Sequence, residues 1–220
     1  MFAVAIDGPA GAGKSSLAKA AAQELGFVYV DTGTLYRTVA LYLLEQGEDP
    51  GDPQAAEAAL PHIQVGLEHV PEGQKMYLCG KEVTGLIRTP EVSMAASKVS
   101  AIPAVRAFLL ELQRDLARKN NVLMDGRDIG TVVLPDAQLK IFLTASPEER
   151  ARRRVAQLEE AGQPADFASI LRDIQQRDYQ DSHREAAPLK PAEDSVLLDT
   201  TGEDFQQSKD RLVALVRARL

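Results

Sequence analysis

Cysteine is nearly absent. One residue, Cys79, in 220 excludes an intramolecular disulfide and any zinc site built on thiolates. Histidine is almost as scarce. His62, His69 and His183 share no metal-ligand spacing with one another or with Cys79, so each reads as a solvated or satisfied surface residue. No apolar run approaches the roughly 18 residues that would span a bilayer. The apolar stretch at residues 2–6 is too short for a signal peptide and lacks its basic start, so a cytoplasmic address is expected. Positive charge is in deficit, with 25 Lys and Arg against 32 Asp and Glu, a formal −7. That balance argues against nucleic acid or an anionic membrane as a partner. Any anion must be met by locally clustered bases. Coiled-coil heptads, internal repeats and low-complexity tracts are also missing, which predicts a monomer.

What remains is ordinary globular material, 45% apolar and 26% charged, long enough for one sizeable core and a small insertion. Residues 2–6 form a short apolar run without alternation, which suits a buried strand of a parallel sheet. A glycine-rich loop follows, then an alanine-rich helix over 14–25 that Gly26 stops. A second strand at 28–30 leads into a helix from about Thr34 to Gln46. Strand, loop, helix, strand, helix is the order of an α/β fold. Residues 47–88 differ, holding Pro50, Pro53, Pro61 and Pro71 among short alternating pieces. They read as an inserted subdomain with a short helix and a little antiparallel sheet. Helices are expected at about 90–100, 103–119, 147 onward, 167–184 and 204–219, and strands at 121–124, 139–143 and 196–198. Ser146 and Pro147 suit a helix cap and first position.

Gly8-Pro9-Ala10-Gly11-Ala12-Gly13-Lys14-Ser15 matches the phosphate-binding pattern G-x-x-x-x-G-K-[ST]. Its glycines let successive N–H groups curl inward onto phosphate oxygens, and the following helix adds its positive end. Lys14 can reach the β and γ phosphates, while Ser15 offers a hydroxyl to Mg²⁺. A chance match is expected in roughly 3 or 4 of a thousand shuffled chains, and the strand-before, helix-after context makes chance a poor account. A carboxylate should help hold the metal. Asp125, ending an apolar strand, suits that position; Asp7 competes, although bonding the loop backbone explains Asp7 equally well.

The loop alone does not separate switches, motors and kinases. No guanine-reading N-K-x-D segment is present. Four groups of arginines are the discriminating feature: Arg37 after Asp31-Thr32-Gly33, Arg127 between Asp125 and Asp128, the run Arg150, Arg152, Arg153 and Arg154, and Arg177, Asp181 and Arg184 at helical spacing. Taken singly, the run at 150–154 is a solvated face paired with Glu148 and Glu149, and the last group a surface salt bridge worth little. Together they supply the fixed positive charge that phosphoryl transfer between two anionic nucleotides requires.

With GPAGAGKSS, DTGTLYR, GRDIGTVVLPDA and ASPEERARRR in place, the chain resembles the bacterial cytidylate kinase family over nearly its whole length. The resemblance implies an α/β fold of the P-loop NTPase type: a five-stranded parallel sheet flanked by helices, with an inserted NMP-binding subdomain and a short lid. It places the core at about 1–36, 89–147 and 185–220, the insertion at about 37–88, and the lid and arginine helix at about 148–184. It implies ATP and CMP or dCMP as substrates and Mg²⁺ as cofactor. ATP would be held by Gly8 to Ser16 with Arg150 and Arg153. Thr32 and Asp128 would bond the cytosine amino group, and Arg127 the base or the acceptor phosphate. Arg37 and Arg184 would grip that phosphate. Ser97, Arg106 and Asp181 would sit at the sugar or its surroundings, and Arg177 with the lid's Arg150, Arg153 and Arg154 would close on the transferring group. Threonine at position 32 replaces the family's common serine, and Ser15-Ser16 offers two hydroxyls to the metal. Another small P-loop kinase, acting on a different monophosphate or on dephospho-coenzyme A, is the runner-up. A nucleotide-dependent regulatory module without turnover is the non-enzymatic alternative.

Overall fold

In the computed structural model, residues 1–70 and 73–220 are described, so Pro71 of the insertion lies outside the described residues. Strand β1 (Ala3–Asp7) is buried at four of its five positions. Both its faces are covered, which is why its sequence shows no alternation. It sits at the centre of a five-stranded sheet of order β2-β6-β1-β7-β8, in which every neighbour pair is parallel. The other strands are β2 (Val28–Asp31), β6 (Val122–Gly126), β7 (Leu139–Thr144) and β8 (Val196–Asp199).

Helix α1 (Lys14–Leu25) ends at Gly26, whose φ of 69° is left-handed, the conformation glycine adopts at least cost. Its alanines let it lie close to the sheet. Ala18, Ala21 and Ala22 share a core cluster with Leu17, Val4 and Ile6, and with the last helix, α8, through Leu212, Val213 and Val216. The side chain and N3 partner of Asp204 form a complete capping box on that helix (Phe205–Arg217). On the opposite face, Val30, Val122 and Met124 pack with Ala117 and Ile129.

A third cluster lies beside the sheet. Helices α2 (Thr32–Glu45), α4 (Pro90–Val99) and α5 (Pro103–Lys119) enclose it, together with a short α3 (Pro53–Ala59). A three-stranded antiparallel sheet, β3 (Val65–Val70), β4 (Gly73–Leu78) and β5 (Lys81–Glu82), closes it. Met76 and Leu78 of β4 are buried against Leu35, Val39 and Ile87 there. The chain then carries two polar helices, α6 (Pro147–Glu160) and α7 (Phe167–His183). Ser146 caps α6 by accepting from Glu149 N at 3.2 Å.

Several boundaries differ from the sequence reading for local reasons. Helix α2 starts at Thr32 rather than Thr34 because Asp31, its cap residue, leads directly out of β2. Strand β6 extends to Gly126 because Asp125 and Gly126 still pair with Ile6 and Asp7. No element was expected at 129–133, yet Ile129–Val133 forms a π-helical turn. Val133 N and Leu134 N donate to Asp128 O and Ile129 O at 3.2 and 2.7 Å. No single helix among the described residues is long and apolar enough to cross a membrane.

Candidate active site

A cavity of about 360 Å³ opens where the carboxyl ends of β1, β2 and β6 meet helices α2, α4, α6 and α7. This is the expected crevice for a ligand in a parallel α/β sheet. Eight arginines and Lys14 line it against four aspartates. A chain of net charge −7 thus concentrates an excess of cations in one place, the arrangement that draws anions in.

At one end stands the glycine-rich loop. Gly8, at φ 150°, is pressed on β7 so closely that a Cβ there would lie 1.9 Å from the Leu143 carbonyl oxygen. Ala12 is wholly buried in the sheet-facing core. Gly8, Pro9 and Ala12 therefore do not line the cavity, whereas Ala10, Gly11, Gly13, Lys14, Ser15 and Ser16 do. Lys14 is 5% exposed, and its Nζ donates to Pro9 O at 2.7 Å. Burial, and next to it the Arg127 charge, holds its proton affinity well below that of an ordinary lysine.

Asp125 sits beside it. Ser15 Oγ donates to Oδ2 at 2.8 Å and Tyr29 OH to Oδ1 at 3.0 Å. Burial first, and then the charge of Asp31, raises the Asp125 pKa far above the usual carboxylate range. Asp7 resolves differently. Its two carboxylate oxygens accept from Ile129 N and Gly130 N, each at 2.7 Å, and burial pushes its pKa up to about 6. It is tied to backbone, as the plainer of its two sequence readings expects, but to the turn at 129–130 and not to the glycine-rich loop that follows it.

The other end brings together groups distant in sequence. Thr32 is 3% exposed, and its hydroxyl donates to the Asp125 carbonyl at 2.8 Å. Its oxygen therefore has only lone pairs left to offer a ligand. Asp128, 4% exposed, is bonded by Arg106 and has Arg184 Nη2 3.8 Å away. Arg106 also donates to Ser100 O at 3.0 Å and lies 5.7 Å over the Tyr36 ring. Arg37 Nη2 rests 3.3 Å from Asp31. Arg127 Nε pairs with Asp181 at 2.8 Å. Burial alone would raise Asp181, but Arg127, with Arg177 and Arg184, outweighs it and holds that carboxyl below its usual value. So the suspected surface salt bridge within 177–184 does not form; Asp181 pairs with Arg127 instead.

Three nitrogens in this half are buried without a hydrogen-bond partner among the described residues: Arg37 Nε, Arg177 Nε and Arg184 Nη2. Burial lowers the proton affinity of Arg177 and Arg184, with Arg127 pressing further on the first and Arg106 on the second. Unsatisfied buried guanidinium groups are costly. A phosphate brought among them would relieve that cost.

The helix run 150–154 splits by position. Arg150 is 3% exposed and its donors are spent on Ala145 O, Ala10 O and Asp178. Arg153 bonds Glu149 and Thr200 O at 3.2 and 2.7 Å. Arg152 pairs with Glu149 on the surface, as the solvated-face reading expects. Arg154 bonds the Gln157 side chain at 3.5 Å and, like Arg150 and Arg153, lines the cavity. Ser97 also lines it; Tyr36, Ser100 and Gln157 line it without having been singled out in the sequence. Tyr29 was missed as well, although its place two residues before Asp31 on one strand puts both on the same side.

The sequence model of one family, described as cytidylate kinase, matches residues 4–218. A cytidylate kinase from Carboxydothermus hydrogenoformans is 46% identical over 213 residues, covering 97% of this chain and 96% of that protein. Another from Desulfitobacterium hafniense is 49% identical over 212 residues, with 96% and 91% covered. Among solved structures, an uncharacterized protein from Eubacterium ventriosum superposes with a TM-score of 0.57 at 14% identity, covering 99% of each chain, a likeness of fold.

Proposed function

The chain belongs to the cytidylate kinase family, and from that premise we propose that it transfers the γ-phosphoryl group of ATP to CMP, giving ADP and CDP, with dCMP as a further acceptor. One observation carries the choice of base. Thr32, its proton committed to Asp125 O, and Asp128 both present acceptors to the cavity. Cytosine offers an exocyclic amino donor to them, where uracil would offer a carbonyl and meet repulsion. A base that leaves buried polar groups unpaired is rejected more strongly than one that merely fits less well.

The donor triphosphate lies against the glycine-rich loop, with Lys14 on its β and γ oxygens. Ser15 and Asp125 supply hard oxygen ligands, a donor set that suits Mg²⁺ directly or through its water. When bound, the metal neutralises charge on the β and γ phosphates. Arg37 and Arg184 grip the acceptor phosphate, and Arg127 lies between the two halves. The attacking oxygen belongs to that phosphate, which is already ionised near neutral pH, so no strong general base is required. Arg177 and Arg154, both on the cavity wall, meet the charge that develops in transfer, and closure of the site over the substrates would expel the water that hydrolyses ATP. The lone thiol, Cys79, suits the reducing cytoplasm.

A coupled assay of ADP release across AMP, CMP, GMP and UMP, each with and without Mg²⁺, tests this reading. Turnover should be greatest with CMP and depend on the metal. Preference for another monophosphate, or nucleotide binding without turnover, would overturn it.

A further inference from the structure

Among the described residues of β3–β5, one polar side chain is buried and bonds outside its own sheet. Gln74, in β4, is 9% exposed. Its Oε1 accepts from Asp31 N at 3.1 Å, and its Nε2 donates to Asp31 O at 3.3 Å and to the Thr34 hydroxyl. A primary amide that takes both the N–H and the C=O of one residue does what a neighbouring strand would do.

The position explains the need for it. Strand β2 is at the edge of the five-stranded sheet. Val28 N donates inward to Asn121 O at 2.8 Å, so by alternation the amides of Tyr29 and Asp31 turn outward, where no strand follows. Buried backbone groups there must find a partner. Gln74 supplies it at the last residue of the strand, and Thr34 Oγ1 closes the corner by donating to Asp31 O at 2.6 Å.

That corner carries the acceptor end of the cavity. Asp31 directs Arg37 through its carboxylate, Thr32 follows it, and α2 begins there. We propose that Gln74 is a positioning residue for the acceptor nucleotide: the insertion uses its side-chain amide as a surrogate strand to fix the β2–α2 corner, and with it Thr32 and Arg37. The insertion is then a working part of the acceptor site. Gln74 itself touches no substrate.

The inference rests on CMP being the acceptor, and the experiment keeps the two apart. Steady-state kinetics are measured for the parent chain, for Gln74→Leu, and for Thr84→Val. The last removes the acceptor for Met76 N, a 3.0 Å bond internal to the insertion. Gln74→Leu should raise KM for CMP about tenfold, leaving KM for ATP unchanged and kcat within about twofold. Thr84→Val should lower the melting temperature with KM for CMP unmoved. Should Gln74→Leu fail to fold, Gln74→Glu, which keeps one acceptor and loses the donor, is read by the same criteria. An unchanged KM for CMP in a folded Gln74 variant overturns the proposal, as does a parallel rise in KM for ATP or an equal rise in Thr84→Val. If the parent chain does not phosphorylate CMP, the functional reading fails, and the Gln74 inference with it.

Discussion

Replacing Asp128 by asparagine tests base selection more sharply than any truncation. Asp128→Asn keeps the volume of a side chain only 4% exposed and exchanges one acceptor oxygen for an NH₂ donor. Its charge also disappears from beside Arg106 and Arg184. A hydrogen bond to a charged partner contributes about 1.5–3 kcal/mol, so kcat/KM for CMP should fall about 10- to 150-fold. UMP should not follow it down, because the new amide can donate to the uracil carbonyl that the carboxylate repelled. The altered field around the two arginines acts on the phosphate of both substrates and cancels in the ratio. The CMP-to-UMP ratio of kcat/KM, read by ADP release, is therefore the observable. Breaking a buried ion pair destabilises by about 3–5 kcal/mol when one partner is removed outright, which is why the isosteric change is preferable to alanine, and a melting curve should accompany it. An unchanged ratio, with both substrates weakened alike, would reduce Asp128 to an ion-pair partner of the arginines and refute base reading.

Lys14→Ala should cost at least about a hundredfold in turnover with circular dichroism unchanged; retained turnover would remove Lys14 from the donor site. Arg177→Ala should lower kcat more than it weakens CMP binding, and a pure KM effect would move Arg177 to the acceptor phosphate. Asp7 makes a stability prediction. Its folded pKa, raised from 3.8 to about 6 by burial, means its contribution is full below 3.8 and is lost as pH rises through about 6. The loss is about 3 kcal/mol. Asp7→Asn should therefore give a flatter curve of melting temperature against pH across that window, and curves that stay parallel would contradict the assignment.

Local signals carried much of this molecule. The apolar run of β1, the glycine at the end of α1, the Ser146 cap and the phosphate loop are each written within a few consecutive residues, and each formed where its chemistry demands. Long-range pairing was not legible. Nothing in 150–154 says that Arg150 turns inward to Asp178, 28 residues away, while Arg152 stays in solvent. Asp7 and Asp125 look alike as strand-end carboxylates; the 129–130 backbone claims the first, and the Ser15 and Tyr29 hydroxyls the second. That backbone follows a π-helical turn, which has no periodicity of its own to read. Gln74 carries no local signal of its role, because the edge it satisfies belongs to another sheet 43 residues away.

Gly8 has a consequence for how variation in this chain should be interpreted. A library of all single substitutions, selected for turnover, would leave position 8 empty of everything but glycine. Elsewhere in the loop, at Ala10 or Ser15 on the cavity wall, such a blank would point to a ligand. At position 8 it would report the closeness of the loop to Leu143 and a backbone angle other residues avoid. Intolerance and contact with ligand are separate properties, and Gly8 is set up for the first while lying off the cavity that Ala10 and Gly11 line.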